Sequence, residues 1–230
     1  MFIPLYDHKP LVHLRRQYVT WGLILANVAV FALLQRGGLS DPAMQASSLS
    51  FGLVPAVLFD HRDLAAELAV LPEMASLVTY AFLHGSWMHL GGNMLFLWVF
   101  GDNVEDAMGH FRFLVFYLLC AAAAGYGHAL TEPVSTAPLI GASGAVAGVI
   151  GAYLVLHPKV RVWVLAFGRL PLRLPAAWVL SAWIAFQLAM AFGFGDTQVA
   201  WWAHVAGALA GALLVVPMRR RGVPLFDRGV

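Results

Sequence analysis

Charged residues are scarce in this sequence. Asp, Glu, Lys and Arg make up 11% of its 230 residues, whereas a soluble domain carries roughly 25%. The single cysteine, Cys120, excludes an internal disulfide and any thiolate zinc cluster. Low-complexity tracts and useful repeats are also absent, which excludes collagen-like and disordered chains. Hydrophobic residues make up 60% of the sequence, so its length fits one compact membrane bundle.

Six apolar runs predict an all-α polytopic membrane protein. Six spans of about 20 residues each would use roughly half of the chain. The second run is short and interrupted by polar residues. Because the segment before the first run is polar, no signal peptide is evident. The predicted spans are Val19–Gln35, Ser86–Gly101, Phe111–Thr131, Pro138–His157, Ala176–Phe194 and Val199–Pro217.

A long connection, Arg36–Ala75, separates the first two spans. It contains two apolar stretches, Phe51–Phe59 and Leu64–Leu71, each too short to cross a bilayer. Long loops inside a compact fold are usually functional or packed against something. We therefore expect the first outer loop to be a half-buried, interfacial hairpin of helices.

The basic residues predict the orientation. Six spans put both termini on one side, together with the loops after spans two and four. That side would hold 12 of the 14 basic residues, all except Arg36 and Arg62, so the positive-inside rule makes it cytoplasmic. The arginine-rich tail is then an orientation anchor in contact with lipid, and no nucleic-acid partner is expected. These considerations divide the chain into a cytoplasmic segment (1–17), a membrane domain (18–217) and a basic cytoplasmic tail (218–230).

Four polar residues inside the predicted spans are the candidate functional residues, because such residues are costly in a bilayer. They are His89 and Asn93 in span two, Ser143 in span four and His204 in span six. These three spans run in the same direction, and each residue lies within the first two turns of its span. At a rise of 1.5 Å per residue, the four should share one depth below the outer surface.

The neighbours of these residues indicate nucleophilic catalysis. Gly141 and Gly144 flank Ser143 at the start of a helix, where backbone N–H groups have no intrahelical partner and can bind an anion. Small residues on one face of span four (Ala147, Gly151) and of span six (Gly207, Ala208, Gly211) permit close helix packing. A Ser–His hydrogen bond of about 2.6–3.2 Å requires such packing.

On span two, His89 and Asn93 lie four residues apart, so both could donate to an oxyanion. Spans four and six contain no Asp or Glu. We therefore expect a Ser–His dyad rather than a triad.

Each of these residues also has a structural interpretation. Ser143 alone would more often be a small residue at a helix crossing, and His204 alone could be a core histidine bonded to a carbonyl. His89 and Asn93 could link helices without any catalytic role. A metal site from His84, His89 and His204 is disfavoured, because no acidic residue or HExxH pattern accompanies them. No metal and no cofactor are expected.

Three motifs together resemble those of the rhomboid intramembrane serine proteases. They are His84-Gly-Ser-Trp-Met-His89-Leu-Gly-Gly-Asn93, Gly141-Ala-Ser143-Gly144 and Ala203-His204-Val-Ala-Gly207 with Gly211, within a similarity that covers about residues 18–217. The resemblance implies a six-helix bundle with Ser143 as nucleophile and His204 as base. In this scheme His89 and Asn93 assist the oxyanion, and His84, Gly141 and Gly144 support the site. It also implies that the substrates are single-span membrane proteins.

Two departures from the family pattern affect the site. Many members carry an aromatic residue four positions after the serine, stacked on the catalytic histidine, and here that position is Ala147. Some members have a Trp-Arg pair in the first outer loop, where this chain has only His61-Arg62. What orients His204 is therefore left open by the sequence.

Two rival hypotheses come from other functional classes. A catalytically silent rhomboid-like protein would bind transmembrane segments, although such relatives typically lack the serine or the histidine. A transporter or channel would predict inverted repeats or midplane charges, which the sequence does not contain. The expected location is a bacterial plasma membrane or an organelle membrane derived from one, and the absence of an Arg- and Ser-rich transit-like segment favours the former. Span five or the loop Gly193-Phe-Gly195-Asp196 could admit a substrate laterally.

Overall fold

A computed structural model describes residues 2–194 and 199–227 of the chain and is mostly helical. Six long helical segments lie close to the six predicted spans, and the first and fifth end in a π-helical turn. The six segments are α1 (Tyr18–Ala29, continued by Val30–Leu34), α5 (Trp87–Met108), α6 (His110–Thr131), α7 (Ser143–Leu156), α8 (Ala176–Ala189, continued by Met190–Phe194) and α9 (Trp201–Met218).

Three of these helices are long and apolar enough to cross a membrane. They are His110–Thr131, Ala176–Gly193 and Trp201–Met218, while Tyr18–Leu34 and Ser143–Leu156 are shorter apolar helices. Helix α5 extends seven residues beyond the predicted end of its span at Gly101. That extension carries acidic side chains, so hydropathy alone underestimates the length of the helix.

The acidic residues of α5 anchor the start of the chain. The buried Glu105 carboxylate accepts hydrogen bonds from the Val19 and Thr20 N–H groups, at 3.0 and 2.8 Å. These N–H groups lie in the first turn of α1, where they have no intrahelical partner. Asp106 accepts in the same way from the backbone of Val12, His13 and Leu14. The polar end of α5 is therefore a cap for the N-terminal segment.

The central helix is α7, which packs against α5, α6, α8 and α9. Its crossing with α9 is made by glycines and alanines on both helices. A Cβ atom added at Gly207 would overlap the carbonyl oxygen of Gly144, and one at Gly211 would overlap that of Gly148. The two backbones are thus in direct contact, as the small-residue faces predict.

The expected all-α fold is wrong in one respect, because the structure contains a three-stranded antiparallel sheet. Its strands are β1 (Phe2–Asp7), β2 (Arg161–Ala166) and β3 (Leu170–Pro175), in the order β1-β2-β3. Every second residue of β2 is buried and the residues between them are exposed or partly exposed, which is the strand period. Positive φ values at Phe167 and Gly168 form the tight turn between β2 and β3.

The expected hairpin of helices in the first outer loop is also wrong in its second arm. The loop contains α2 (Asp41–Phe51) and a single turn, α3 (Pro55–Leu58), whose first three residues are buried. Residues 64–71 form no helix and are largely exposed. Eight residues are marginal for a helix, and the following Pro72 disfavours helical backbone at Leu71. A second short helix, α4 (Ser76–Thr79), then leads through a 3₁₀ turn towards α5.

Both ends of the chain meet at one end of the bundle. Strand β1 pairs with the hairpin that follows α7. The C-terminal segment returns to the same place, where Asp227 accepts a hydrogen bond from Lys9 and contacts the His157 ring, both at 2.8 Å. The Arg220 N–H also donates to Ala107, beside the turn between α5 and α6. Of the basic residues predicted on this side, Arg228 lies outside the described residues.

We expect the Asp227 contacts to stabilise the fold in a pH-dependent way. Burial raises the pKa of the Asp227 carboxyl, but its contacts with Lys9 and His157 outweigh burial and hold the pKa below its ordinary value. The stabilisation is therefore present above the unfolded-state pKa and is lost as the pH falls through the folded-state pKa. Replacing Asp227 by Asn should cost about 0.5–1 kcal/mol at neutral pH.

Thermal unfolding of the detergent-purified wild type and of Asp227→Asn checks this prediction. The difference between the two should shrink as the pH is lowered from about 7 to about 3. An equal difference at both ends of that range would contradict the assigned contacts.

Candidate active site

Ser143 is the first residue of α7 and the centre of the site. The N–H groups of the first turn of a helix have no intrahelical partner, and the first such bond in α7 runs from Val146 to Ala142. Gly141, just before the helix, has a φ of +124°, a conformation that side-chain-bearing residues rarely adopt. The local sequence thus puts a hydroxyl and several free N–H groups at one point.

His204 lies in the first turn of α9 and faces Ser143. Its Nε2 atom is 2.9 Å from the Ser143 Oγ atom, which is hydrogen-bond distance. The pair is 61 residues apart in sequence, so the crossing of α7 and α9 brings it together. The distance lies within the range that a nucleophile and its base require.

The other nitrogen of His204 contacts a residue that the sequence analysis missed. Its Nδ1 atom is 2.7 Å from the Oε1 atom of Gln187, which is buried on α8. The rings of Trp183 and Trp201 also lie about 6 Å from the imidazole. The available signal was that Gln187 is an amide within an apolar span, the same criterion that selected His89 and Asn93.

His89 and Asn93 lie one turn apart near the start of α5. The buried Asn93 Nδ2 atom has no hydrogen-bond partner among the residues that the structure describes. The His89 Nδ1 atom accepts a long hydrogen bond, 3.4 Å, from the Gly85 N–H. That bond leaves the proton of a neutral imidazole on Nε2. Two donors are thereby available for a ligand.

The three supporting residues lie around this arrangement. A Cβ atom at Gly141 would lie 2.6 Å from the His89 ring, so a side chain there would displace that ring. His84 is buried, and its Nε2 atom accepts weakly from the Ala142 N–H at 3.5 Å. A Cβ atom at Gly144 would lie 2.6 Å from Ala124 on α6. Gly141 and His84 therefore contact residues next to Ser143, and Gly144 allows α6 to approach the start of α7.

Ser143 and His204 open into a cavity of about 690 Å³ bounded by α5, α7, α8 and α9. This volume is within the usual range for ligand sites, about 300–1,000 Å³. The walls are mainly apolar, and most of their polar groups belong to the candidate site residues and Gln187. The lining residues are Met88, His89, Gly92, Asn93, Phe96, Ser143, Val146, Ile150, Ala182, Trp183, Phe186, Gln187, Trp201 and His204.

A metal centre finds no support in residues 2–194 and 199–227. Within these ranges no three His, Cys, Asp or Glu side chains are grouped as metal ligands would be. The two histidines that meet in the site, His84 and His89, stack edge to face with ring centroids 5.1 Å apart. This contact packs the loop before α5, which carries His84, against the first turn of the helix, which carries His89.

The fold and the site define a helical membrane protein with a Ser–His pair between its helices. The chain belongs to the rhomboid family: the family model for the rhomboid domain matches residues 71–221. This finding confirms the resemblance drawn from the three motifs.

Named relatives agree with the family assignment. The chain is 30% identical over 147 residues to Rhomboid protein 1, mitochondrial, of Saccharomyces cerevisiae, which covers 60% of this chain and 40% of the relative. It is 34% identical over 150 residues to Rhomboid-like protein 11, chloroplastic, of Arabidopsis thaliana, 63% of this chain and 52% of that protein. It is 26% identical over 137 residues to the Rhomboid protease GlpG of Yersinia pseudotuberculosis, and this match covers 60% of this chain and 45% of that protein. The chain thus spans about half the length of these relatives.

Proposed function

We propose that this protein is an intramembrane serine endopeptidase that cleaves transmembrane segments of other membrane proteins. The observation that carries the proposal is the 2.9 Å contact between Ser143 Oγ and His204 Nε2 inside an apolar cavity. A serine hydroxyl is a weak nucleophile until an adjacent base accepts its proton. The family supports the same chemistry, because one relative is named as a rhomboid protease.

In the proposed reaction, the Ser143 oxygen attacks the scissile carbonyl carbon while its proton passes to His204. The tetrahedral intermediate collapses when His204 returns that proton to the leaving amine, and the peptide C–N bond breaks. This step leaves an acyl-enzyme on Ser143. A water molecule then gives a proton to His204 and attacks the ester, which releases the acid product and restores the serine.

The negative oxygen of the tetrahedral intermediate needs hydrogen-bond donors. The Ser143 N–H is free of intrahelical partners. Asn93 lines the same cavity as Ser143, and its buried Nδ2 donor has no hydrogen-bond partner among the described residues. His89 supplies a further N–H if its proton is on Nε2, as the Gly85 contact favours. We assign these three groups to the oxyanion hole.

The proposed topology has six spans with both termini in the cytoplasm. It rests on the meeting of strand β1 and Lys9 with the segments after α7 and α9, and on the basic residues in these segments, which the positive-inside rule places in the cytoplasm. The proposed regions are a cytoplasmic segment (1–17), a membrane domain (18–217) and a basic tail (218–230). We propose that the protein lies in a bacterial plasma membrane, with the first outer loop at the membrane interface.

Substrates are proposed to be single-span proteins that enter from the bilayer beside α8. This helix buries a smaller share of its residues than α6 or α9 does, and it forms one wall of the cavity. Of the loop that could open with it, Gly193-Phe-Gly195-Asp196, the last two residues lie outside the described residues.

Cleavage of a membrane substrate tests the proposal directly. The purified full chain and a single-span reporter are reconstituted together in lipid vesicles, and product is followed by electrophoresis. Wild type should release product and Ser143→Ala should not. If folded wild type binds the reporter but does not cleave it, the protein is a rhomboid-like binder of transmembrane segments, and the protease proposal is wrong.

Replacing Asn93 by Ala should slow the chemical step more than it weakens substrate binding. Loss of one oxyanion donor typically lowers kcat by about 10²–10³, whereas KM changes little when the donor acts only in the transition state. Met88→Ala is the matched control, because it shortens an exposed, apolar side chain of the same cavity. An Asn93→Ala variant that changes KM alone would place the residue in substrate binding instead.

A further inference from the structure

Gln187 is a polar residue in a place where polar residues are costly. It is 4% exposed on α8, whose other residues are almost all apolar. An amide held in a membrane helix normally bonds to a partner on another helix. Here the partner is His204 on α9, at 2.7 Å from the Gln187 Oε1 atom.

The chemistry of this contact decides which nitrogen of His204 carries its proton. A neutral imidazole has one N–H and one lone pair. The Gln187 Oε1 atom can only accept, so it requires the proton on Nδ1. The lone pair then lies on Nε2, 2.9 Å from the Ser143 hydroxyl, which is the orientation needed to accept the serine proton.

We propose that Gln187 is the positioning residue of His204, taking the place of the acidic third member of a Ser–His–Asp triad. This inference rests on the proposed protease function. The uncharged amide meets the same geometric need as a carboxylate, without placing a charge in an apolar cavity. The proposal also explains how the imidazole is oriented although Ala147 replaces the aromatic residue that many family members carry. The imidazole contacts Gln187 and the rings of Trp183 and Trp201 instead.

The contact also couples the site to the position of α8. Ser143 and His204 lie on helices whose backbones touch through glycines, so their separation is set by a rigid crossing. Gln187 reaches the pair from a different helix, the less buried one at the edge of the cavity. Displacement of α8 therefore removes the orienting bond and leaves the Ser–His pair in place.

The ¹⁵N spectrum of the histidine-labelled full chain in lipid vesicles reads out the His204 tautomer without any need for activity. The His204 signals are assigned by their absence in His204→Gln. Wild type should carry the proton on Nδ1, Gln187→Leu should lose that preference, and Gln187→Glu should restore it. Leu188→Ala, a change to the neighbouring side chain on α8, should leave the tautomer unchanged.

Kinetics on the same variants complete the test. Gln187→Leu should lower kcat by roughly 10²-fold with little change in KM, because the misplacement of a catalytic group costs about that much in rate, and Gln187→Glu should recover part of it. Gln187→Asn, which withdraws the acceptor but keeps the amide, serves if Gln187→Leu does not fold.

A wild-type proton on Nε2, or a tautomer unchanged in Gln187→Leu, would overturn the inference. If wild type carries the proton on Nδ1 but cleaves no substrate, the protease function is refuted. The role of Gln187 in fixing the His204 tautomer would still be supported.

Discussion

Replacing either Ser143 or His204 by Ala should abolish labelling of the detergent-purified protein by a fluorophosphonate probe. The probe reacts with a serine only when a base activates it, and Ser143 Oγ is hydrogen-bonded to His204 Nε2 at 2.9 Å. Residues that act as one unit lose nearly all activity when either is removed, by about 10⁴–10⁶ in rate. In-gel fluorescence of the labelled protein measures the result.

Ser181→Ala is the matched control for this experiment, because it removes an exposed hydroxyl from α8 and should leave labelling intact. Circular dichroism verifies that each variant is folded. Labelling that survives Ser143→Ala would mean that another serine is the nucleophile. A folded wild type that takes up no probe would favour the rhomboid-like binding protein over the protease.

Replacing Gly211 by Ala should be among the most destabilising single changes in the membrane domain. The added Cβ atom would overlap the Gly148 carbonyl oxygen, which is backbone and cannot rotate away. Overpacking of a well-packed interior costs about 1–3 kcal/mol and occasionally more. We expect the upper end of that range, despite the gain of about 1 kcal/mol in helix propensity.

Thermal unfolding in detergent measures this effect, with Gly22→Ala as the matched control. Gly22 also lies within a helix, α1, but nothing lies within 4 Å of its added Cβ atom. The control should therefore be neutral or slightly stabilising. Equal unfolding temperatures for the two variants would show that α7 and α9 are not in backbone contact.

Much of this protein could be predicted from local sequence because the membrane simplifies the problem. Apolar runs mark helices, since a backbone in lipid must satisfy its own hydrogen bonds. Polar residues within those runs mark the candidate site, since a bilayer tolerates few of them. Ser143, His204, His89 and Asn93 were found in this way, and the glycines opposite one another on spans four and six predicted the close crossing.

Outside the apolar runs, the same signal fails. The alternation of buried and more exposed residues in β2 falls in a predicted loop, where the basic residues are the only sequence signal. Its partner strand β1 lies about 160 residues away in the chain. Two of the seven extra residues of α5, Glu105 and Asp106, are acidic and cap the N-terminal segment, a contact between distant parts of the chain. Residues 64–71 have an apolar composition, yet they form no helix, because so short a segment is only a marginal helix former and Pro72 disfavours helical backbone at Leu71.

The sequence by itself determined the apolar helices, the family and the polar side chains available for chemistry, because these depend on composition and short-range spacing. Only the tertiary structure decided which of those side chains meet. Gln187 is one polar residue on an apolar helix, and nothing local shows that it faces His204 rather than lipid. That outcome depends on how α8 is rotated against α9, which is the sum of many weak packing contacts between helices. The orientation of the imidazole is accordingly a property of the folded bundle.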